Sequence, residues 1–220
     1  MNKFYNEFKA IIETEDRNQA LNYVLSKLNS GEINIIMLYE ELLTPVLKNL
    51  ETTGDEKMDI WKEHVRSSMV KTIIENCYPF VIKERDAKYG VESKKRVAII
   101  CPAEEYHEIG ARMVADYFTL LGYQATFVGN NTPKEVFIIG IETQSLDYIA
   151  ISISNPYHLV SARNTIELIR KTNKEIKIIV GGNAMLKLGE KAEKLDADYY
   201  LSTFDDIIAI TGGKSNETTV

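Results

Sequence analysis

The chain has 220 residues, of which 45% are hydrophobic and 26% charged, and its formal net charge is −6. Such a length and composition are typical of one large globular domain or two small ones, and either can bury a core. The acidic balance argues against nonspecific nucleic-acid binding, because that binding depends on cationic side chains that neutralise phosphates.

No apolar run approaches the roughly 18 residues that a membrane span needs. The amino terminus carries charges where a signal peptide would have an apolar block. We therefore expect a soluble, cytoplasmic protein with no membrane partner. The only cysteines, Cys77 and Cys101, fit neither a disulfide framework nor a thiolate metal cluster, and we expect both to be buried as small hydrophobic residues.

Apolar residues recur at helical spacing in residues 1–88 and predict four helices. The apolar positions fall at residues 4–12, 20–28, 35–47 and 60–82. Turn-forming residues separate these groups, and Asp59 is the predicted cap of the fourth helix. Short connections favour antiparallel neighbours, so the sequence predicts a four-helix bundle.

After a polar segment at residues 88–94, short β-rich runs alternate with amphipathic helices. The predicted strands are residues 97–101, 125–128, 148–152, 176–180 and 199–201, and the predicted helices lie near 107–121, 133–142, 158–171, 184–194 and 204–210. This fivefold βα alternation predicts an α/β domain at residues 94–212, a doubly wound, five-stranded parallel sheet of Rossmann-like or flavodoxin-like type. Residues 213–220 have too little apolar content to bury and are expected to form a flexible tail.

The first predicted strand of this domain runs into Glu105-x-His107-x-x-Gly110. A histidine at the carboxyl end of a parallel strand lies in the crevice where open α/β sheets bind ligands. A carboxylate two residues before it can hold one ring nitrogen while the other nitrogen faces a metal. This arrangement suits a metal that arrives inside a larger molecule.

Two other uses of a doubly wound sheet are disfavoured. A dinucleotide-binding fold would have a glycine-rich turn after the first strand, but residues 102–107 are bulky and acidic. A phosphoacceptor domain would need an aspartate after the third strand, where the chain has Ser152 and Ser154.

Three strand-end motifs together resemble a known family of domains. Glu105-x-His107-x-x-Gly110, the serines Ser152 and Ser154, and the pair Gly181-Gly182 resemble the cobalamin-binding domain in which a protein histidine displaces the cofactor's own lower base. A preceding helical bundle is typical of methionine synthase, corrinoid methyl carriers and light-sensing cobalamin regulators. The resemblance thus covers almost the whole chain.

The resemblance implies a role for each residue of these motifs. His107 would give a neutral imidazole nitrogen to cobalt, and Glu105 would fix its tautomer. Gly110 would let the helix start lie close to the cofactor. Ser152 and Ser154 would supply hydroxyls where the displaced nucleotide tail is threaded, and Gly181-Gly182 would leave room for the flat base of that tail. His158, by contrast, is expected to have a surface or capping role.

The helical part carries candidates for the upper side of the cofactor. Glu63-His64 resembles the pair that contacts the upper axial group in the regulatory branch of the family, and Trp61 shares a helix face with His64. Trp61 could instead be a core residue of the bundle. A tryptophan typical of the regulatory branch is missing at its expected place near Thr53.

The resemblance leaves two functions open, and both use adenosylcobalamin or methylcobalamin with its cobalt. The 107–133 stretch, with its Gly-Asn-Asn-Thr-Pro turn at 129–133, and the glutamate at position 105 favour a sensory or regulatory module, and a response to light is one form that this function takes in the family. Its output would pass through a protein partner or a change in self-assembly, because we expect no DNA-binding domain and no direct nucleic-acid contact. The alternative is a corrinoid protein that carries methyl groups between partner methyltransferases. In either case the chain is not expected to be an enzyme by itself.

Overall fold

The computed structural model describes residues 3–90, 95–188 and 195–211. The chain divides into two compact units, Met1–Glu84 and Arg85–Val220, which we call the helical unit and the sheet unit. The predicted tail at 213–220 and most of the polar segment at 88–94 lie outside the described residues.

The helical unit contains the four helical segments that the apolar spacing predicts. They are α1 (Lys3–Ile12), α2 (Arg17–Ser30), a third segment built from α3 (Ile35–Met37), a π-helix (Leu38–Leu43) and α4 (Thr44–Lys48), and finally α5 (Glu56–Glu84). Phe8, Val24, Leu42, Val70 and Ile73 are fully buried in this unit. A π-helical turn at Arg85–Tyr89 follows α5.

The cap predicted for the fourth helix is wrong. Helix α5 begins at Glu56, and the Asp55 carboxylate accepts hydrogen bonds from the amides of Lys57 (2.9 Å) and Met58 (3.3 Å). The Asp59 carboxylate instead accepts from the amide and the hydroxyl of Thr53, both at 2.7 Å. The residue before the first turn therefore does the capping, and Asp59 ties the preceding loop to the helix.

The sheet unit has five parallel strands in the order β2-β1-β3-β4-β5. The strands are β1 (Arg96–Pro102), β2 (Gln124–Thr132), β3 (Tyr148–Ser152), β4 (Lys177–Gly181) and β5 (Tyr199–Leu201). The connections hold α6 (Ile109–Leu120), α7 (Lys134–Gln144), a 3₁₀ turn (Pro156–His158) leading into α8 (Leu159–Thr172), and α9 (Asn183–Leu188), and the described chain ends with α10 (Phe204–Thr211). The predicted doubly wound parallel sheet is confirmed, in the flavodoxin-like strand order.

Apolar residues of α7 and α8 form a core against the central strands. Phe137, Ile141 and Ile166 are buried in one cluster with Ile149 and Ile178. Helices α6 and α10 contact each other, with the rings of Tyr117 and Phe204 4.8 Å apart. Because crossovers between parallel strands are right-handed, α6 lies on the opposite face of the sheet from α7 and α8.

Two helix boundaries bear on the predicted site. Helix α6 begins at Ile109, so His107 lies in the loop before the helix rather than within it. Residues 189–194 of the predicted helix at 184–194 lie outside the described residues. None of the described helices is both long and apolar enough to cross a membrane.

Asp198 joins the edge of the sheet to the end of α8. Its carboxylate accepts from Arg170 Nη2 at 2.6 Å, from the Ile178 amide at 2.8 Å and from Lys177 Nζ at 2.9 Å. Burial alone would raise the pKa of Asp198, but the hydrogen bonds from Arg170, Ile178 and Lys177 outweigh it and hold the pKa below its ordinary value.

We expect Asp198→Asn to lower the free energy of unfolding of the sheet unit at neutral pH by about 1–3 kcal/mol. Since the pKa is lower in the folded state than in the unfolded state, the carboxylate stabilises the fold above its unfolded pKa, and this contribution is lost as the pH falls through the folded pKa. In denaturant unfolding, the difference in the free energy of unfolding between wild type and variant should therefore become smaller in acid. The matched control is Asp196→Asn, whose exposed carboxylate lies 3.5 Å from Arg170 Nε and should contribute less than about 0.5 kcal/mol. If that difference in free energy stayed constant down to acid pH, the ionised carboxylate of Asp198 would not be what stabilises the sheet unit.

Candidate functional site

The strand order places one crevice at the carboxyl end of the sheet. Strand β1 lies between β2 and β3, so the chain reverses its direction of winding at β1. In open α/β sheets the loops that follow the two strands at such a reversal diverge and leave a ligand-binding crevice. Here these are the loop at 103–108 after β1 and the loop at 153–155 after β3.

Glu105 connects the two loops at this crevice. Its side chain is fully buried, and one carboxylate oxygen accepts from the amides of Ser154 (2.8 Å) and Asn155 (3.0 Å). The other oxygen accepts from the amide of His107 at 3.0 Å and lies 2.6 Å from His107 Nδ1. Burial opposes ionisation, but the hydrogen bonds from Asn155, His107 and Ser154 outweigh it and hold the pKa of Glu105 below its ordinary value.

The contact with Glu105 decides which nitrogen of His107 can bind a metal. Because the carboxylate is ionised, Nδ1 carries the ring proton and donates it to Glu105. The lone pair is then on Nε2, on the far side of the ring. The His107 side chain is 61% exposed, so the ring stands at the surface of the sheet unit while its orienting partner is buried. An imidazole oriented by a carboxylate in this way is the usual arrangement of a histidine metal ligand.

Two asparagines at the end of β2 hold the histidine loop, and the sequence analysis did not assign them a role in the site. Asn131 Oδ1 accepts from the amide of Glu104 at 2.8 Å, and the Asn131 amide donates to the carbonyl of Glu105 at 2.9 Å. Asn130 Nδ2 donates to Glu108 at 3.0 Å. Asn131 has φ +45°, a left-handed conformation that asparagine tolerates better than most residues. The signal in the sequence was a pair of asparagines after Gly129, at the end of the strand beside β1.

The predicted glycines of the crevice are required by close backbone contacts. A Cβ at Gly182, where φ is +107°, would lie 2.4 Å from the carbonyl oxygen of Ile153. A Cβ at Gly181 would lie 2.8 Å from the carbonyl oxygen of Leu201. Backbone atoms of Ile153 and Leu201 thus occupy the positions where side chains would be. That the two glycines also leave room for the flat base of the nucleotide tail stays a prediction. Ser152 pairs with Gly181 in the sheet, and Ser154 offers its amide to Glu105.

Gly110 lies in open surroundings in the first turn of α6. It is exposed, and a Cβ added there would have no heavy atom within 4 Å in the described structure. This open start of the helix, two residues after the loop of His107, fits the close approach of a large ligand that the sequence predicts.

The upper-side candidates belong to the helical unit and lie on its surface. Trp61 is 61% exposed, so the alternative that it is a core residue of the bundle is wrong. Glu63 and His64 are also exposed. Glu63 and Ile60 line a cavity of about 380 Å³ together with the loop before α5.

The remaining cysteine and histidine predictions have clear outcomes. Both cysteines are buried as expected. Burial and the charges of Glu105 and Glu108 raise the pKa of Cys101 to about 12, so its thiol stays protonated in the unliganded protein. His158 was predicted to have a surface or capping role; it is partly buried and occupies the N-cap position of α8, but its side chain makes no capping hydrogen bond.

The side chains around the crevice suit a metal ion that is already held by a larger molecule and needs only one ligand from the protein. Among the described residues, no group of three or more His, Cys, Asp or Glu side chains is placed to hold a metal ion. His107 offers a single imidazole with a fixed tautomer, which is one axial ligand for a metal whose remaining positions are filled by a larger molecule.

Comparison with known proteins assigns the chain to a family. Residues 95–211 match the B12 binding domain, whereas no curated protein sequence matches the chain. The monomethylamine corrinoid protein of Methanosarcina barkeri shares the fold with a TM-score of 0.78 and 12% identity, over 95% of this chain and 97% of that one. A cobalamin-binding protein from Desulfitobacterium hafniense DCB-2 gives a TM-score of 0.50 and 14% identity, over 94% of this chain and 97% of that one. Since the matched domain spans more than half of its length, the chain belongs to the B12-binding domain family and its cofactor is cobalamin.

Proposed function

We propose that the protein is a corrinoid methyl carrier, which holds cobalamin with His107 as the lower axial ligand in place of the cofactor's own base. The observation that carries this proposal is the pair formed by Glu105 and His107, in which a buried carboxylate fixes the ring and leaves Nε2 to bind the metal. When bound, the cofactor supplies a cobalt centre that accepts and releases a methyl group. The methyl group is delivered and removed by partner methyltransferases.

The chain's own residues set the position and basicity of the ligand. Glu105 receives hydrogen bonds from two amides of the β3 loop, so it is anchored independently of the ring that it orients. A carboxylate that accepts the Nδ1 proton makes Nε2 a stronger donor to a metal. Asn131 fixes the backbone on both sides of Glu105, which limits the positions that the ring can take.

The other lower-side residues keep the roles that the family resemblance implies. Gly110 gives the cofactor access to the start of α6, and its open surroundings support this role. Ser152, Ser154, Gly181 and Gly182 would line the path of the displaced nucleotide tail. Trp61, Glu63 and His64 remain the predicted contacts of the upper axial group.

Two observations favour the carrier over the sensory module that the sequence favours. The monomethylamine corrinoid protein has the same fold over nearly all of both chains. Thr53, near the expected place of the regulatory tryptophan, is engaged through its amide and hydroxyl with Asp59 in the turn that starts α5. That position therefore belongs to a helix-start turn and offers no aromatic ring to shelter an upper ligand.

The carrier and the sensor predict different results for the loaded protein. Reduced, cobalamin-loaded protein should be methylated by a corrinoid-dependent methyltransferase, with methanol and the methylamines each tried as donor, and the absorbance spectrum should report the change. Protein loaded with adenosylcobalamin should keep the same size in the dark and after illumination in light scattering. Absorbance alone does not discriminate here, because light breaks the cobalt–carbon bond of alkylcobalamins in any protein. A change of oligomeric size on illumination, without methylation by any of the methyltransferases tried, would overturn the carrier in favour of the sensor.

A further inference from the structure

We propose that His158 binds the nucleotide tail of the bound cobalamin, with its ring nitrogen Nδ1 hydrogen-bonded to a phosphate or ribose oxygen of that tail. This inference rests on the proposed function, because it requires a cobalamin whose displaced tail enters the crevice. The residues that the family resemblance assigns to the tail do not include His158.

The backbone places His158 at the carboxyl end of the sheet, next to the crevice. It is the last residue of the 3₁₀ turn Pro156–His158, which begins four residues after β3 ends. The turn is fixed at its start, because Asn155 Oδ1 accepts from the Tyr157 amide at 3.1 Å and the Asn155 carbonyl accepts from the His158 amide at 3.0 Å. The Asn155 amide in turn donates to Glu105, so the turn continues the loop that anchors the metal-binding histidine.

The same turn contacts the element that carries the glycine pair. The 3₁₀ turn packs against α9, which begins directly after Gly182. The carbonyl of Ile153 accepts from the Ala184 amide at 3.0 Å, so the β3 loop and the start of α9 are held together. The turn that ends with His158 therefore lies beside the start of α9, close in the chain to the serines at the end of β3 and the glycines at the end of β4, where the tail is expected.

The side chain of His158 has an unsatisfied polar atom in this position. Nδ1 is buried from solvent, and it has no hydrogen-bond partner within residues 3–90, 95–188 and 195–211. The side chain does not cap α8 either. A buried polar atom without a partner destabilises the fold, and native structures seldom keep one without a reason. An oxygen of a bound ligand would satisfy this nitrogen, and phosphate and ribose oxygens are the polar groups that a nucleotide tail brings.

The test compares two corrinoids that differ in the tail. Cobinamide has the corrin ring and cobalt but lacks the nucleotide tail, whereas cobalamin has both. We expect His158→Phe, which keeps a flat ring but removes both nitrogens, to weaken cobalamin binding about tenfold, the value of one hydrogen bond of about 1.4 kcal/mol. Cobinamide binding should change by less than about twofold, because the lost bond involves no part of that ligand. Spectroscopic titration of wild type and variant with each corrinoid gives the change in affinity for cobalamin and the change in affinity for cobinamide.

A second variant separates the hydrogen bond from the packing of the ring. His158→Asn keeps a polar atom near the position of Nδ1 and should recover most of the affinity for cobalamin, and thermal melts of the unliganded variants confirm that they are folded. Equal weakening for cobalamin and cobinamide, or an unchanged affinity for both, would overturn the role of His158 while leaving the proposed function intact. Wild-type protein that binds neither corrinoid would overturn the proposed function itself, and this inference with it.

Discussion

Replacement of His107 by alanine is expected to remove the lower axial ligand from bound cobalamin and to weaken cobalamin binding by more than about 100-fold, because losing only an outer partner of a metal ligand costs about 10–100-fold. The ring is 61% exposed, so its removal should leave the fold of the sheet unit intact. The absorbance spectrum of any cofactor that still binds should become that of a cobalamin without a lower nitrogen ligand. Titration of wild type and variant with cobalamin, followed by spectra after desalting, measures both effects.

Two controls make this result specific to ligation by His107. Glu104→Gln changes an exposed side chain of the same loop and should leave the lower-ligand spectrum unchanged. Free imidazole added to His107→Ala should restore a nitrogen-ligated spectrum, because a small ligand can occupy the space that the missing ring leaves. The proposal fails if His107→Ala retains the wild-type spectrum without added imidazole.

The sequence predicted the architecture well where burial dictates the residue pattern. The central strands are almost continuously apolar, as in β1, where six of the seven residues are buried, and such runs alternating with helices have few other solutions. The pairing of Glu105 with His107 was also predictable, because two residues of one loop must be close in space. The turn at Asp55 to Asp59 was harder, since both aspartates can accept backbone hydrogen bonds and their spacing does not say which one caps α5.

The contacts that join distant segments could not be read from the sequence. Glu105 receives amide donors from Ser154 and Asn155, about fifty positions along the chain, and a backbone amide leaves no mark on residue identity. The same holds for Asn131, whose amide and side chain meet the backbone of the histidine loop. Gly182 was identified as a tail-site residue, whereas the structure adds a second reason for glycine there, namely the approach of the Ile153 carbonyl.

Glu105 is consequently both an orienting group for His107 and a structural link between two loops. Four N–H donors converge on its two oxygens, and its side chain is fully buried. A charge in this position is stable only because the donors replace water. The affinity for cobalamin and the stability of the sheet unit should therefore depend on the same carboxylate.

We expect Glu105→Gln to lower the free energy of unfolding of the sheet unit by about 2–4 kcal/mol, because it leaves buried donors without an acceptor. The glutamine side chain has the same shape, but it has one acceptor oxygen and one NH₂ group. Whichever way the amide is turned, the NH₂ group faces either the Ser154 and Asn155 amides or His107. Cobalamin affinity should fall by about 10–100-fold in addition, since the His107 ring loses the partner that fixes its tautomer.

Glu104→Gln is the matched control, because it makes the same chemical change at the neighbouring, exposed position. Its free energy of unfolding should stay within about 0.5 kcal/mol of the wild-type value, as is usual for substitutions at exposed positions. Denaturant unfolding and cobalamin titration of both variants separate the two roles of Glu105. If Glu105→Gln matches Glu104→Gln in both measurements, the buried carboxylate neither links the loops nor orients His107, and the basis for histidine ligation is lost.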